Sequence, residues 1–409
     1  MISRAYPRIL AVYSILAFFT GLSSYLFLAE KLTAPPLYWI IALVVAAMPI
    51  CLSPDSLSTI LRSPLALWGY AFVMISGVWL LFETSPSEVV LQEFRTRVLS
   101  VIFIVTLLLV FSREDTQLWA RRATFVAVLL GVGLNFYELF HPLTFSAVTG
   151  RSAGLYVNPT QSAAALTLGL IISLKQVKPA LKLLFALVVG MGVFLTFSRA
   201  GVIGWGIVLI LLVKTKQVDL RRSAATAVVI SILAILIAVW QWDALTTKLA
   251  DLNVLNANVI NRISFFKDAR AEDFSADERK QVAALAWEMF SENPILGHGV
   301  GASVDWSYEQ SSHNEYLNLM VDHGILGFFI LPFLVLAVIW RSDRECKQMS
   351  FVFAVFILFM GFFSHNILSE RHFLISFALF ATMSKGDSLG SVVMEVPLES
   401  YTHYHQLAR

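Results

Sequence analysis

The chain has 409 residues, of which 57% are hydrophobic and 14% charged, against roughly 25% charged in a soluble domain. The depletion is global, which excludes a soluble globule carrying a single anchor and points to a polytopic helical membrane protein. The formal net charge of +2 carries little information beside its distribution, and no nucleic-acid partner is expected. Nothing alternates over enough length for a transmembrane barrel.

Apolar runs at 9–28, 36–52, 64–82, 98–111, 122–137, 160–174, 180–197, 200–213, 223–240, 316–340, 350–363 and 371–384 predict an all-α fold of about twelve transmembrane helices. The first run is too long for a signal-peptide core and reads as the first span. Residues 83–97 mix Glu83, Glu88, Glu93, Arg95 and Arg97 with apolar residues, a pattern shared by an interfacial helix and a solvated loop. Most Lys and Arg outside 241–315 fall on the side of the N-terminus, which sets both termini in the cytoplasm and the 241–315 stretch outside. The organisation expected is nine helices with short loops over 1–240, one large outer loop over 241–315, three helices over 316–384 and a cytoplasmic tail over 385–409. Cys51 and Cys346 fall near cytoplasmic helix ends, where a structural disulfide is not expected.

Within the outer loop, Asp277 to Phe290 has helical periodicity and Asn293-Pro294 stops it. Gly297-His298-Gly299-Val300-Gly301 predicts an unusual backbone path, with His298 serving the loop backbone. Ser311-Ser312-His313-Asn314-Glu315 precedes the next helix, with Ser312 or Asn314 as its cap.

Few basic residues occupy the short outer segments. Arg151 lies in a Gly-rich stretch ending in Asn158-Pro159, Arg199 follows Thr196-Phe197-Ser198 with almost no loop, and Arg279 opens the loop helix. Charges at a bilayer face are costly unless paired or hydrated. Guanidinium groups gathered at one face suit phosphate oxygens, which they bind bidentately. Arg262 is an alternative occupant of that role. His313 is the general-base candidate, since imidazole accepts a proton near neutrality. Glu315 or Asp305 is a candidate to orient its ring, and His323 is a second choice of base. His365 and His372, with Glu370 and Arg371, form another outer cluster suited to an acceptor path or to plain solvation of a short loop. No phosphate loop, zinc-protease or dinucleotide fingerprint is present, and no close acidic pair suggests a metal. No metal and no cofactor are expected. A transporter or a glycan sensor is the non-enzyme alternative, and a transporter requires polar residues through the midplane.

Three stretches in order, Leu195-Thr196-Phe197-Ser198-Arg199-Ala200, Glu292-Asn293-Pro294-Ile295-Leu296-Gly297-His298-Gly299-Val300-Gly301 and Ser312-His313-Asn314-Glu315-Tyr316-Leu317, resemble the O-antigen ligase and polymerase superfamily of bacterial envelopes. The resemblance implies a glycosyltransferase of the bacterial inner membrane with its site facing the periplasm. Its donor would be a glycan on undecaprenyl diphosphate and its acceptor a sugar of lipid A–core. Arg151, Arg199 and Arg279 would bind the diphosphate, and His313 would be the catalytic base of an inverting, metal-independent displacement. A polymerase of lipid-linked repeats and a protein O-oligosaccharyltransferase share the same signatures. The loop length and compact chain favour the ligase.

Overall fold

The computed structural model describes residues 5–51, 54–82, 86–148, 150–220, 274–306, 312–340, 342 and 346–383, and among them regular structure is helical with no sheet. The helices are α1 (Ala5–Ser14), α2 (Leu22–Leu28), α3 (Pro36–Cys51), α4 (Pro54–Leu61), α5 (Pro64–Phe82), α6 (Glu88–Val110), α7 (Glu114–Phe140), α8 (Pro159–Ser173), α9 (Lys182–Leu195), α10 (Arg199–Lys214), α11 (Phe274–Glu292), α12 (Glu315–His323), α13 (Ile325–Ile339), α14 (Lys347–Met360) and α15 (Arg371–Met383). Proline opens α3, α5 and α8, where its missing N–H costs nothing.

The expectation of about twelve spans is overturned. Among the described residues two helices, Pro64–Leu81 and Glu114–Phe140, are long and apolar enough to cross a membrane. A third counts only if Ala5–Phe19 and Leu22–Leu28, bent by 45° at their junction, form one span. The reason is that an apolar run is not a continuous helix. Pro36–Ile50, Pro179–Leu195, Ile325–Ile339, Lys347–Met360 and Arg371–Met383 are apolar but only 10–17 residues long, short of the roughly 20 that a bilayer core requires. Gly324, at φ +62°, divides the 316–340 run into α12 and α13. Residues 88–97 are neither a loop nor a separate interfacial helix but the first turns of α6, which continues to Val110. Ser87 caps that helix, its Oγ accepting from Val90 N at 3.2 Å. The 223–240 run, residues 241–273 and the tail from 384 lie outside the described residues.

A large apolar core joins α1, α3, α6, α7, α8, α14 and α15. It is aromatic in part, with Phe353 stacked on Phe380 at 4.2 Å. The outward faces of α5 and α7 are apolar too: Met74 is 68% exposed, Leu81 85% and Val126 58%. Such surface suits a lipid environment and would be a liability in water. A second, small core of Ala286, Phe290, Met320 and Val321 packs α11 against α12.

The Gly-rich motif after α11 belongs to this packing. His298 N donates to Val321 O at 2.8 Å, Gly299 N to Asp322 O at 3.1 Å and Ile325 N to Pro294 O at 2.8 Å. A Cβ on Gly324 would stand 2.3 Å from Ile295 O, so the two backbones meet only because that side chain is absent. Asp322 is the knot. Its carboxylate accepts from Gly301 N at 3.2 Å and Ser303 N at 3.0 Å and pairs with Arg97 Nη2 of α6. Arg97 also pairs with Glu93 at 3.0 Å and donates to Ser76 Oγ at 3.2 Å.

Arg97 and Asp322 are both buried, so removing one strands the other as an uncompensated charge. Arg97→Met is expected to destabilise the protein by about 3–5 kcal/mol, and Arg97→Met with Asp322→Leu to recover only part of that loss, because Gly301 N and Ser303 N then lose their acceptor. Thermal unfolding in detergent measures both; a single variant melting with the wild type would show that this knot does not hold the fold.

Candidate functional site

Three helices begin in the same way and at the same place. Before α8, Val157 has φ +62° and Asn158 caps, its Oδ1 accepting from Thr160 N at 2.8 Å. Before α10, Phe197 has φ +47° and Ser198 Oγ accepts from Gly201 N at 3.3 Å. Before α12, His313 has φ +51° and Asn314 Oδ1 accepts from Leu317 N at 3.2 Å. Side chains are rare in this left-handed region, and β-branched or bulky ones more so. Each such residue costs about 1–3 kcal/mol and persists where the surroundings over-determine it.

The surroundings do so here. Glu138, buried at the end of α7, accepts from four backbone groups. Phe145 N and Ser146 N donate to Oε1, and Ala153 N (2.7 Å) and Gly154 N (3.1 Å) donate to Oε2. The chain thus folds around one carboxylate and delivers Arg151. Arg151 Nε donates to Thr196 O at 3.0 Å, and Ser152 N to Leu195 O at 3.1 Å, which ties this segment to the corner that starts α10. A Cβ on Gly201 would lie 2.4 Å from that of Ala163, so α8 and α10 approach closely and their first turns stand side by side.

All three corners open on one cavity of about 460 Å³. Asn158, Pro159, Thr160 and Gln161 line it from the start of α8, Ser198, Arg199 and Ala200 from α10, and Ser312, His313 and Asn314 from the approach to α12. Three positive helix ends therefore face the same space. Arg151, Arg199, Arg279 and Lys280 also line it, while among the described residues no Asp or Glu does. On the remaining side are Phe362, Phe363, Ser364, His365 and Asn366.

The sequence-derived candidates separate cleanly. Arg151, Arg199, Arg279 and His313 share the cavity. Glu315, Asp305 and His323 are not among its lining, and Arg262 lies outside the described residues. Glu315 is not the hydrogen-bond partner of the His313 ring. Its Oε2 accepts from Ile367 N at 3.1 Å, and burial pushes its carboxyl up to about 8, leaving it protonated near neutrality. Asp305 accepts from Ser87 Oγ at 2.6 Å. His323 is buried, its Nε2 accepting from Arg97 Nη1 at 2.7 Å with Trp79 edge-on to the ring. It belongs to the Asp322 knot. His298 serves the backbone, its Nε2 lying 2.6 Å from Met289 O.

The partner of His313 is another histidine. Nδ1 of His313 and Nδ1 of His365 are 3.1 Å apart, the rings crossing at 62°. Burial lowers the affinity of His313 for a proton, and nearby Arg279 lowers it further. Burial, then His313, brings His365 down to about 4. Both rings are therefore neutral at physiological pH. Lys280 and His365 are cavity residues to which sequence reasoning gave no role in catalysis or diphosphate binding. Lys280 had a signal, since it follows Arg279 directly. The pairing with His365 spans 52 residues and left none. Among the described residues no three His, Cys, Asp or Glu side chains are grouped to hold a metal.

No curated protein and no solved structure matches the chain. The family model described as O-Antigen ligase matches residues 183–332. That stretch contains Arg199, Arg279, Lys280 and His313, and leaves Arg151 and His365 outside it. An O-antigen ligase family domain thus covers part of the chain and supports, at the level of the family, a ligase-like catalytic role in glycan transfer.

Proposed function

We propose that this chain transfers a glycan from undecaprenyl diphosphate to a sugar hydroxyl of lipid A–core, with the cavity opening to the periplasmic face of the inner membrane. The observation that carries the reading is the make-up of the cavity: among the described residues, four cationic side chains, three helix N-termini, a pair of neutral imidazoles and no carboxylate line it. A diphosphate is the headgroup that such a lining favours, because charge-assisted bonds from planar guanidinium groups are strong and directional. Arg151, Arg199 and Arg279 bind the diphosphate, and Lys280 adds a fourth charge.

His313 removes the proton from the acceptor hydroxyl. The oxygen attacks the anomeric carbon from the face opposite the diphosphate. The carbon–oxygen bond to the diphosphate breaks, its electron pair leaves with undecaprenyl diphosphate, and the anomeric centre inverts. Negative charge grows on the leaving oxygen during this step, where fixed cations stabilise it most.

The test is direct transfer. Purified protein in nanodiscs, given undecaprenyl-diphosphate-linked glycan and lipid A–core in the presence of a chelator, is expected to yield glycosylated lipid A–core with an inverted linkage. Extended lipid-linked chains in place of that product would assign a polymerase, and glycosylated protein hydroxyls a protein glycosyltransferase. Absence of transfer to any of the three acceptors would reject the reaction.

A further inference from the structure

We infer that His365 is a positioning residue for His313, accepting a hydrogen bond from its Nδ1–H and so keeping the lone pair on Nε2 for the acceptor hydroxyl. The inference rests on the reading of His313 as the base, and deepens it. Two ring nitrogens at 3.1 Å cannot both carry a proton in the neutral pair and cannot both be bare, so one donates and the other accepts. With the proton on His313 Nδ1, its Nε2 is basic; with the proton on His365 Nδ1, His313 Nε2 is occupied and useless as a base. The tautomer of one ring thus decides whether the other can work.

The segment carrying His365 is held for this contact. Glu315 N donates to Gly361 O at 2.8 Å and Glu315 Oε2 accepts from Ile367 N at 3.1 Å. Ser364 N donates to Met360 O at 3.0 Å. Residues 313 and 315 therefore grip the 361–367 segment at three points, two through Glu315 and one through the imidazole pair. Glu315, two residues beyond His313 in sequence, acts on it through that segment.

The surrounding charges explain the choice of partner. The cavity brings Arg151 from the segment before α8, Arg199 from α10, and Arg279 and Lys280 from α11 towards the pair. Among the described residues, Glu315, buried at the start of α12, and Glu370, Arg371 and His372, which follow the segment in sequence, are the other titratable groups on the elements that carry or grip it. When His313 takes the proton it becomes a further cation among cations. A neutral imidazole lone pair on His365 receives the resulting charge-assisted bond without adding a permanent negative charge to a site built for an anion.

Two measurements test this. In ¹⁵N-histidine-labelled protein in nanodiscs without substrate, long-range proton–nitrogen correlation at pH 7.5 is expected to show His313 protonated on Nδ1 and bare on Nε2, with coupling across to His365 Nδ1. A dominant Nε2–H form of His313 would overturn the inference. With undecaprenyl-diphosphate glycan and lipid A–core, His365→Ala is expected to lower kcat about 10- to 100-fold, part of what a general base contributes, with the donor KM unchanged. His365→Asn, whose amide oxygen can accept the same bond, is expected to recover most of the rate. His365→Asp is expected to move the acidic limb of the rate profile to higher pH, since a carboxylate favours the protonated ring. Wild-type kcat and pH profile in His365→Ala would also overturn the inference. A wild-type protein inactive with every acceptor would instead reject the proposed reaction, while the tautomer in the substrate-free protein still decides the pairing.

Discussion

His313→Ala is expected to lower transfer about 10²–10⁴-fold, the range that a positioned general base supplies, with the donor still bound. The side chain lines the cavity and, among the described residues, makes one polar contact, to His365, so its removal is expected to leave the fold and the cationic walls in place. The loss belongs in kcat, because the acceptor proton moves only in the transition state. The pH dependence follows from the same surroundings. Burial and Arg279 both disfavour the protonated ring, so the acidic limb of the profile is expected below the ordinary histidine value of about 6.5. Taking away the positive neighbour with Arg279→Gln should move that limb upward. Steady-state rates of wild type, His313→Ala and Arg279→Gln across pH 5–9 measure both effects. A His313→Ala enzyme within a few-fold of wild type would remove the base from the mechanism.

The second large effect is expected at Arg199. It opens α10 beside the Ser198 cap, so its guanidinium shares the space reached by the positive end of that helix. Arg199→Ala is expected to lower kcat/KM about 10²–10³-fold, comparable with removing one preorganised donor from a developing anion. Arg199→Lys keeps the charge and loses the fork, and should fall between the two. Because negative charge builds on the leaving oxygen, kcat should fall together with donor affinity. The combination is read from initial rates over a range of donor concentration, with the melting temperature as a check that the helix start has survived. A variant weakened only in donor KM would place Arg199 in ground-state recognition alone.

Much of the cavity was legible because its residues are chemically out of place where they stand. A lone arginine between Ser198 and Ala200 in an apolar run, another among glycines before Asn158-Pro159, and a histidine before a helix cap are each visible without coordinates, and Arg151, Arg199 and His313 line one cavity with Arg279. The partner of His313 was not legible. Glu315 and Asp305 were chosen for proximity along the chain, whereas the contact that forms comes from residue 365. The number of spans failed for a different reason. Hydropathy counts apolar residues along a run and is blind to a break such as Gly324 or the bend after Phe19. Nor could charge alone show that Arg97 is inside α6 and matched by Asp322, more than two hundred residues away.

The three left-handed corners imply a tension between heat resistance and turnover. Val157, Phe197 and His313 hold backbone angles that glycine would adopt without resistance. Selection for thermal endurance alone would favour relaxing them, and each relaxation would let the neighbouring helix end drift from its mark. A homologue adapted only to persist would be expected to carry glycine at 157 and 197, where no side-chain chemistry is at stake, and a slacker grip on its headgroup, the familiar exchange of activity for robustness.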